Sequence, residues 1–420
     1  MPLCLTPRIE AIAQAVTGRQ QSFFAADVAA LDAQVRAAVS GRRVLVAGGA
    51  GSIGSATIGE LLEYGPAALA VLDPSENNLA ELVRTVRSLP GGFTATLDIQ
   101  PLDYGSALAA GWLASQPPFD LVLSFAALKH VRSERDRFSL CRMLEVNLLK
   151  GDRFLTACRT HGHGHAGIFF VSTDKAANPV SLMGASKRAM ELLLWAHAQP
   201  GAPASLLTGG GNAPPAARIT TTRFANVAFS DGSLPWGFLQ RLEKDQPLAA
   251  PGDVKRYLVS PREAGQLCLL AALVCPHRQL LVPTLSPTRD LVTFTAIAEH
   301  TLQAFGKRPQ WCRDEAEARS APRGATWPVL VTTSDTSGEK DIEEFIGADE
   351  VALAVPGASS VQAIAGSAVD GAAFTAFLQL IDRACTTGEV PPLAALVTSL
   401  AAVVPGLKHQ STGRSLDSKM

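Results

Sequence analysis

Residues 171–187, VSTDKAANPVSLMGASK, hold the side chains best able to move protons. Ser172 and Thr173 are hydroxyls, Asp174 and Lys175 an adjacent acid and base, and Lys187 a second ammonium twelve residues on. The apolar run Ile168–Val171 predicts a buried strand ending at this cluster. Asn178-Pro179 predicts a turn opening a helix, on which Met183 and Lys187 are four apart and share a face. A strand end with hydroxyl, carboxylate and ammonium, facing a lysine on the next helix, fits general acid–base chemistry. The same residues would also make an ordinary surface ion pair, so the preceding elements must decide.

The first is 43–54, RVLVAGGAGSIG. Val44–Val46 predicts a buried strand. Gly48, Gly51 and Gly54 follow, with Ser52 and Ile53 between them, and Ser55–Tyr64 continues as a helix. Glycine serves where backbone approaches a pyrophosphate, and the helix start offers N–H groups to phosphate. A second strand, Leu69–Leu72, ends at Asp73, placed to take the adenosine ribose hydroxyls. Pro74-Ser75-Glu76 brings no arginine for a 2′-phosphate, which favours NAD over NADP. A third strand, Phe93–Leu97, is expected to run into Asp98 and Ile99 beside the adenine. A fourth, Leu121–Phe125, runs into Ala126 and Ala127, which let the cofactor pass. Lys129 and His130 follow, and Asn147 on the next helix is expected to bridge elements by side-chain hydrogen bonds. Strand and helix alternate five times, which predicts an α/β doubly wound parallel sheet of the Rossmann type, with ligands beyond the strands' C-terminal ends. Gly48, Asp73, Ala126 and the Thr173-Asp174-Lys175 triplet all fall at those ends.

Composition narrows the function. The chain has 420 residues, 47% hydrophobic and 18% charged, with a net charge of −1. That is globular and gives no electrostatic case for nucleic acid. Seven cysteines without a CxxC pair suggest reduced thiols and a cytoplasmic setting. The apolar run Leu267–Val274 is too short for a membrane span. The histidines of HGHGH (His161, His163, His165) read as a solvated loop, and no metal site is expected.

The motifs GGAGSIG, ALKHV, VSTDKAANPVSLMGASKR, RFANVAFSDGS and KRYLVSPREAGQL resemble those of the nucleotide-sugar 4,6-dehydratases of the extended short-chain dehydrogenase/reductase superfamily. Within it the chain is similar to the polysaccharide-biosynthesis branch acting on UDP-N-acetylglucosamine. GEKDIEEF (338–345) resembles that branch's late motif, and the tail VPGLKHQSTGRSLDSKM its soluble members. The resemblance runs from about Ser22 onward, with a variable region near 355–395. It implies an NAD-dependent lyase with Asp174 as general acid at the sugar's C6 oxygen and Lys175 as C5 base, the two roles open to exchange. Thr173 would hydrogen-bond the C4 oxygen and Lys187 the nicotinamide ribose. Lys129, His130, Asn226, Arg256 and Glu339 would bind the nucleotide sugar, and a homo-oligomer is expected. The same residues would serve a 4- or 5-epimerase, or an NAD-binding sensor without turnover. Two departures stand out. Met183 replaces the superfamily's catalytic tyrosine, as in some retaining members, and a thioether cannot exchange protons. Thr336-Ser337 stands where an Arg-Pro is usual, which leaves the nucleotide base open.

Four regions are expected: a helical arm (1–40, patterns at Arg8–Val16 and Ala25–Val39), an NAD-binding domain (41–223), a smaller substrate-binding domain (224–345) and a mainly helical C-terminal extension (346–420). Residues 199–218, rich in Pro, Gly and Ala, are expected to be a flexible surface insertion before the strand Ile219–Thr222.

Overall fold

In the computed structural model, residues 7–89, 93, 95–211, 218–333, 340 and 342–409 are described. The strands are β1 (Arg43–Ala47), β2 (Ala68–Leu72), β3 (Thr96–Gln100), β4 (Leu121–Ser124), β5 (Gly167–Val171), β6 (Ile219–Thr222), β7 (Asn226–Val227), β8 (Leu248–Pro251), β9 (Lys255–Val259), β10 (Gln279–Pro283), β11 (Leu291–Thr293), β12 (Arg308–Cys312), β13 (Thr326–Thr332), β14 (Ala352–Ala354) and β15 (Val361–Ala365). Nine form one sheet, ordered β14-β15-β10-β6-β5-β4-β1-β2-β3. From β3 to β10 all neighbours are parallel; β15 and β14 complete it antiparallel. The fold is the Rossmann-type doubly wound sheet. Strands β1, β2, β4 and β5 are buried throughout or nearly so, which explains their unbroken Val, Leu, Ile and Phe runs.

Register sets the site. Ala47 lies level with Leu72 and Ser124, Ser124 with Phe170, and Val171 with Thr222. The loops leaving β1, β2, β4, β5 and β6 therefore emerge along one rim.

Helices Ser52–Leu62 and Pro261–Leu273 pack together on one face of the sheet. The second starts with a capping box, Ser260 with Glu263, and proline in its first turn. On the other face lie Ala107–Ser115, Lys150–Thr160 and Leu182–His197, with Gly371–Thr387 and Leu393–Val403 packed outside them. Two three-stranded sheets, β11-β9-β7 and β12-β13-β8, build the smaller layer.

Several expectations are corrected. The expected third strand is displaced three residues, so Asp98 and Ile99 lie within β3 and not at its end; Asp98 accepts from the Gln100 side chain. The cause is that β3 registers Leu72 against Gln100. The expected boundary at 223/224 does not separate the layers, because helix 261–273 and β10, which follow it, return to the main sheet. The C-terminal segment carries β14 and β15 before its helices. The second arm pattern is two helices, Ala25–Ala30 and Asp32–Val39, joined at Leu31. The arm's first helix buries Ile9, Ile12, Ala13 and Val16 in the smaller layer's core. Phe24, Val35 and Val39 enter the main core.

The 199–218 insertion is partly built in. Asp152, fully buried, accepts the Leu206 and Leu207 N–H groups and the Ser205 hydroxyl, and pairs with His197. His163 is no solvated residue either. Its Nδ1 accepts the Phe119 N–H at 3.1 Å and its Nε2 lies 3.0 Å from the Leu113 carbonyl; burial pulls its pKa down. Alternating glycines hid a histidine that closes a backbone turn. Among the described residues no helix is long and apolar enough to cross a membrane.

Candidate active site

The glycine loop sits where β1 meets the loop leaving β4. Gly48 has φ +70°, and a Cβ there would lie 2.6 Å from the Ala126 nitrogen. A Cβ on Gly54 would meet the Gly48 carbonyl at 2.4 Å. Only glycine allows this convergence, which starts helix 52–62 from an extended Gly51 with no side-chain cap. N–H groups at the helix start thus lack a side-chain acceptor, as a phosphate site requires. Ile53 is half-buried against the core. The Ser52 hydroxyl accepts the Asp231 N–H at 2.9 Å and ties the loop to the smaller layer.

Asp73 is buried at the end of β2. One oxygen accepts the Ala50 N–H at 3.2 Å, the other the Ser75 N–H at 3.0 Å. Burial raises its pKa against these two donors. Each oxygen keeps a lone pair for a further donor.

The β4 exit carries half-buried Ala126 and Ala127, then exposed Lys129 and His130. Lys129 lies within the electrostatic reach of Asp231, and a Cβ on Gly232 would touch the His130 ring. Asn147 bridges elements, as expected. It accepts the Leu128 N–H at 2.8 Å and donates to the Leu128 carbonyl and the Ser186 hydroxyl at 2.9 Å each.

At the end of β5 the triplet forms a single turn. The Thr173 hydroxyl donates to Asp174 Oδ1 at 2.8 Å, and the Lys175 N–H donates to the same oxygen at 2.9 Å. Lys175 Nζ lies 3.4 Å from Asp174 Oδ1 and 3.2 Å from Glu343 Oε1. Burial lowers the ammonium's pKa, but the carboxylates of Asp174 and Glu343 outweigh it and the net shift is upward. The lysine is therefore a clamped cation here and not a free base. Glu343 escaped sequence reasoning because it is 168 positions away; the signal was the acidic pair of GEKDIEEF, where Glu339 drew the assignment. Glu339 lies outside the described residues, as do Thr336 and Ser337.

Helix 182–197 delivers Met183 and Lys187, both buried. Lys187 Nζ donates to the Val171 carbonyl at 2.6 Å and lies 3.3 Å from the Met190 sulfur. Burial, opposed by the charge of Glu191, brings its pKa down to about 8. Sequence reasoning also missed Glu134. Its carboxylate accepts the Met183 N–H at 2.9 Å, and burial raises its pKa. It caps the start of the helix beside the position where a tyrosine would stand.

Arg256 on β9 is buried and acts electrostatically on both Lys175 and Glu343. Asn226 on β7 is level with Leu258 on β9, so both expected substrate ligands come from one small sheet.

Beneath the site runs a buried charge cluster that sequence reasoning did not find. Arg223 pairs with Glu191 at 2.6 Å and with Glu350 at 2.5 Å, and donates to the Phe345 carbonyl at 3.0 Å. Glu191 also accepts from Ser172 at 2.6 Å and Arg188 at 2.8 Å.

Residues 44–356 match the model of a family described as polysaccharide biosynthesis protein. The chain is 25% identical over 282 residues to the uncharacterized membrane protein MJ1061 of Methanocaldococcus jannaschii, covering 64% of this chain and 74% of that one. It is 28% identical over 194 residues to a UDP-N-acetylglucosamine 4,6-dehydratase (inverting) of Campylobacter jejuni, covering 46% of this chain and 51% of that one. Two solved structures share the fold. Pen from Bacillus thuringiensis has TM-score 0.60, 18% identity, and 78% and 89% of the two chains covered. A UDP-glucose-4-epimerase of Stenotrophomonas maltophila, with bound NAD and formylated UDP-arabinopyranose, has TM-score 0.51, 17% identity, and 83% and 99% covered.

Proposed function

The chain belongs to the polysaccharide biosynthesis protein family, and from that premise we propose that it is a nucleotide-sugar 4,6-dehydratase. It converts a UDP-N-acetylhexosamine, UDP-N-acetylglucosamine first among candidates, to the 4-keto-6-deoxy sugar nucleotide. The observation that carries the reading is the Thr173-Asp174-Lys175 turn. It stands on the same sheet rim as the Gly48–Gly54 loop and Asp73, with Lys187 behind it.

NAD is the dinucleotide that these residues fit. Asp73 would hold the adenosine ribose, the Gly51–Gly54 helix start the pyrophosphate, and Lys187 the nicotinamide ribose. When bound, NAD supplies hydride acceptance from C4 and hydride return to C6. The chain's own residues handle protons and position. Thr173 hydrogen-bonds the C4 oxygen, and the ketone there makes the C5 proton acidic. Asp174 delivers a proton to the departing C6 oxygen, and Lys175 collects the C5 proton, once its ammonium has been relieved of one. Asn226 and Arg256 hold the diphosphate, Arg256 by paired N–H groups.

Mass spectrometry of the purified protein with a panel of nucleotide sugars tests the reading. Loss of one water from a UDP-N-acetylhexosamine supports it. An isomerised product of unchanged mass would make the protein an epimerase instead, and no turnover at all a dinucleotide sensor.

Asp73→Ala should weaken NAD retention by roughly 3 kcal/mol, about 100-fold in Kd, because two hydrogen bonds to a charged acceptor are lost. Unchanged NAD content in the purified variant would remove Asp73 from the cofactor site.

Met183→Tyr should lower turnover, not restore a lost activity. Met183 is packed in the core with its N–H on Glu134, and a phenol would overfill that space and compete for the Thr173 hydroxyl. Met183→Leu, close in volume, should keep most of the rate. A tyrosine variant faster than the parent would mark Met183 as a degraded catalytic position.

A further inference from the structure

Glu343 is buried, and among the described residues its one side-chain hydrogen-bonding partner is Lys175, 3.2 Å away. Asp174, the other carboxylate on that ammonium, is committed differently, since its Oδ1 already takes the Thr173 hydroxyl and the Lys175 N–H. The two carboxylates are thus unequal. One has an oxygen held by local donors, and the other, among the described residues, is hydrogen-bonded by the lysine side chain alone, with the Arg256 charge nearby.

The chain that follows Glu343 is anchored at several points. The Phe345 carbonyl accepts from Arg223 at 3.0 Å, and the Phe345 ring lies 5.1 Å from that of Tyr257. Asn178, three residues past Lys175, donates to Glu344 and accepts the Ala348 N–H, each at 2.9 Å. A segment remote in sequence is tied by its neighbours to the turn that carries the triplet, and it places one carboxylate on the lysine. An adventitious surface pair would not be anchored this way.

We propose that Glu343 is the positioning residue that makes Lys175 a base, by accepting the proton that the lysine must lose before it can take one from the sugar. The inference rests on the dehydration reading. In the first step an N–H bond of Lys175 breaks and an O–H bond forms on Glu343, with no change in total charge. The neutral lysine nitrogen then takes the C5 proton, and that bond's electron pair stays on the sugar as the C6–oxygen bond breaks. The proton stored on Glu343 leaves by way of Lys175 and Asp174, which touch, and departs with the C6 oxygen as water. As C6 is reduced, the ammonium returns a solvent-exchanged proton to C5. The proton released to solvent from the C4 hydroxyl at oxidation restores the ammonium, so the pair ends as ammonium and carboxylate. Burial raises the affinity of Glu343 for a proton, opposed by the charge of Lys175, which suits a temporary acceptor.

The test compares Glu343→Gln and Glu343→Asp with the parent in the full chain. The amide keeps shape and a hydrogen bond to Lys175 but cannot take its proton. Glu343→Gln should lower kcat on the order of 100-fold or more, leave KM within about threefold, and abolish solvent deuterium uptake at C5. Glu343→Asp keeps the function at a displaced position and should recover at least about tenfold of that loss. A glutamine variant within about threefold of the parent kcat overturns the inference alone, as does one whose KM rises while kcat holds. Should Glu343→Gln not fold, Glu343→Asp decides: a kcat about tenfold below the parent with KM unchanged supports the role, and an unchanged kcat overturns it. A parent that removes water from no nucleotide sugar overturns the dehydration reading and the inference together.

Discussion

Lys175→Met should lower dehydration on the order of 100- to 10,000-fold while nucleotide-sugar binding survives. The lysine touches both carboxylates, Asp174 at 3.4 Å and Glu343 at 3.2 Å. Methionine keeps most of the apolar stem and removes the nitrogen. Without it the nitrogen assigned to the C5 proton is gone, and Asp174 and Glu343 lose their bridge. The ammonium's absence also removes the charge that opposes burial at Glu343, whose affinity for a proton should rise further. The fold should tolerate this, because Arg256 still faces the pair and the anchoring of 344–350 does not pass through Lys175. Single-turnover rates and calorimetric binding with the identified nucleotide sugar separate the two effects. A variant within about threefold of the parent rate would remove Lys175 from the chemistry.

Arg223→Met should cost about 3–5 kcal/mol of stability, because it strands buried carboxylates that the guanidinium now neutralises. Glu191 and Arg223 are both fully buried at 2.6 Å, and Glu350 joins from the other side. Burial works to raise the pKa of Glu191, but the charge and hydrogen bonds of Arg223 prevail and hold it at about 2, against an ordinary value of 4.5. A depressed carboxylate stabilises the fold fully above 4.5, and that contribution fades as pH falls from 4.5 toward 2. The parent should therefore lose urea resistance across that window, and Arg223→Met should lack that part of the slope. Replacing Glu191 as well, by leucine, should recover stability relative to the single variant. An Arg223→Met midpoint equal to the parent's would show that the cluster is not holding the fold together.

What was legible in the sequence follows from range. Gly48, Gly54, Asp73 and the Thr173 triplet were readable because each depends on its own strand and the turn after it. The rule that ligands sit beyond parallel strand ends then placed them together without any distance. Asn147 was readable as a bridging residue because a polar amide in an apolar helix demands partners. The misses required tertiary knowledge. Asp98 and Ile99 were placed by a strand read three residues early, since a weakly apolar edge strand carries little periodicity. His163 looked solvated between glycines, yet its ring closes onto Phe119 and Leu113. Glu343, Glu350 and Arg223 are polar residues in unremarkable local contexts. Their meaning comes only from being brought together across 120 residues or more.

The antiparallel strand β15 sits on β10, and nearby Asp27 of the N-terminal arm accepts the backbone N–H groups of Ser359 and Ser360 at 2.8 Å each. Residues more than 330 apart in sequence thus close the same side of the sheet. Contacts of that separation are costly to form early, and chains rich in them fold slowly. During synthesis the half-sheet from β1 to β10 exists before its covering strand has been made. Until about residue 365 emerges from the ribosome, β10 presents an unpaired edge, the kind of surface on which nascent chains associate wrongly. Yield in a cell should consequently depend on chaperone supply and expression temperature, and chains cut before β15 should be recovered as aggregates and not as an isolated dinucleotide-binding half.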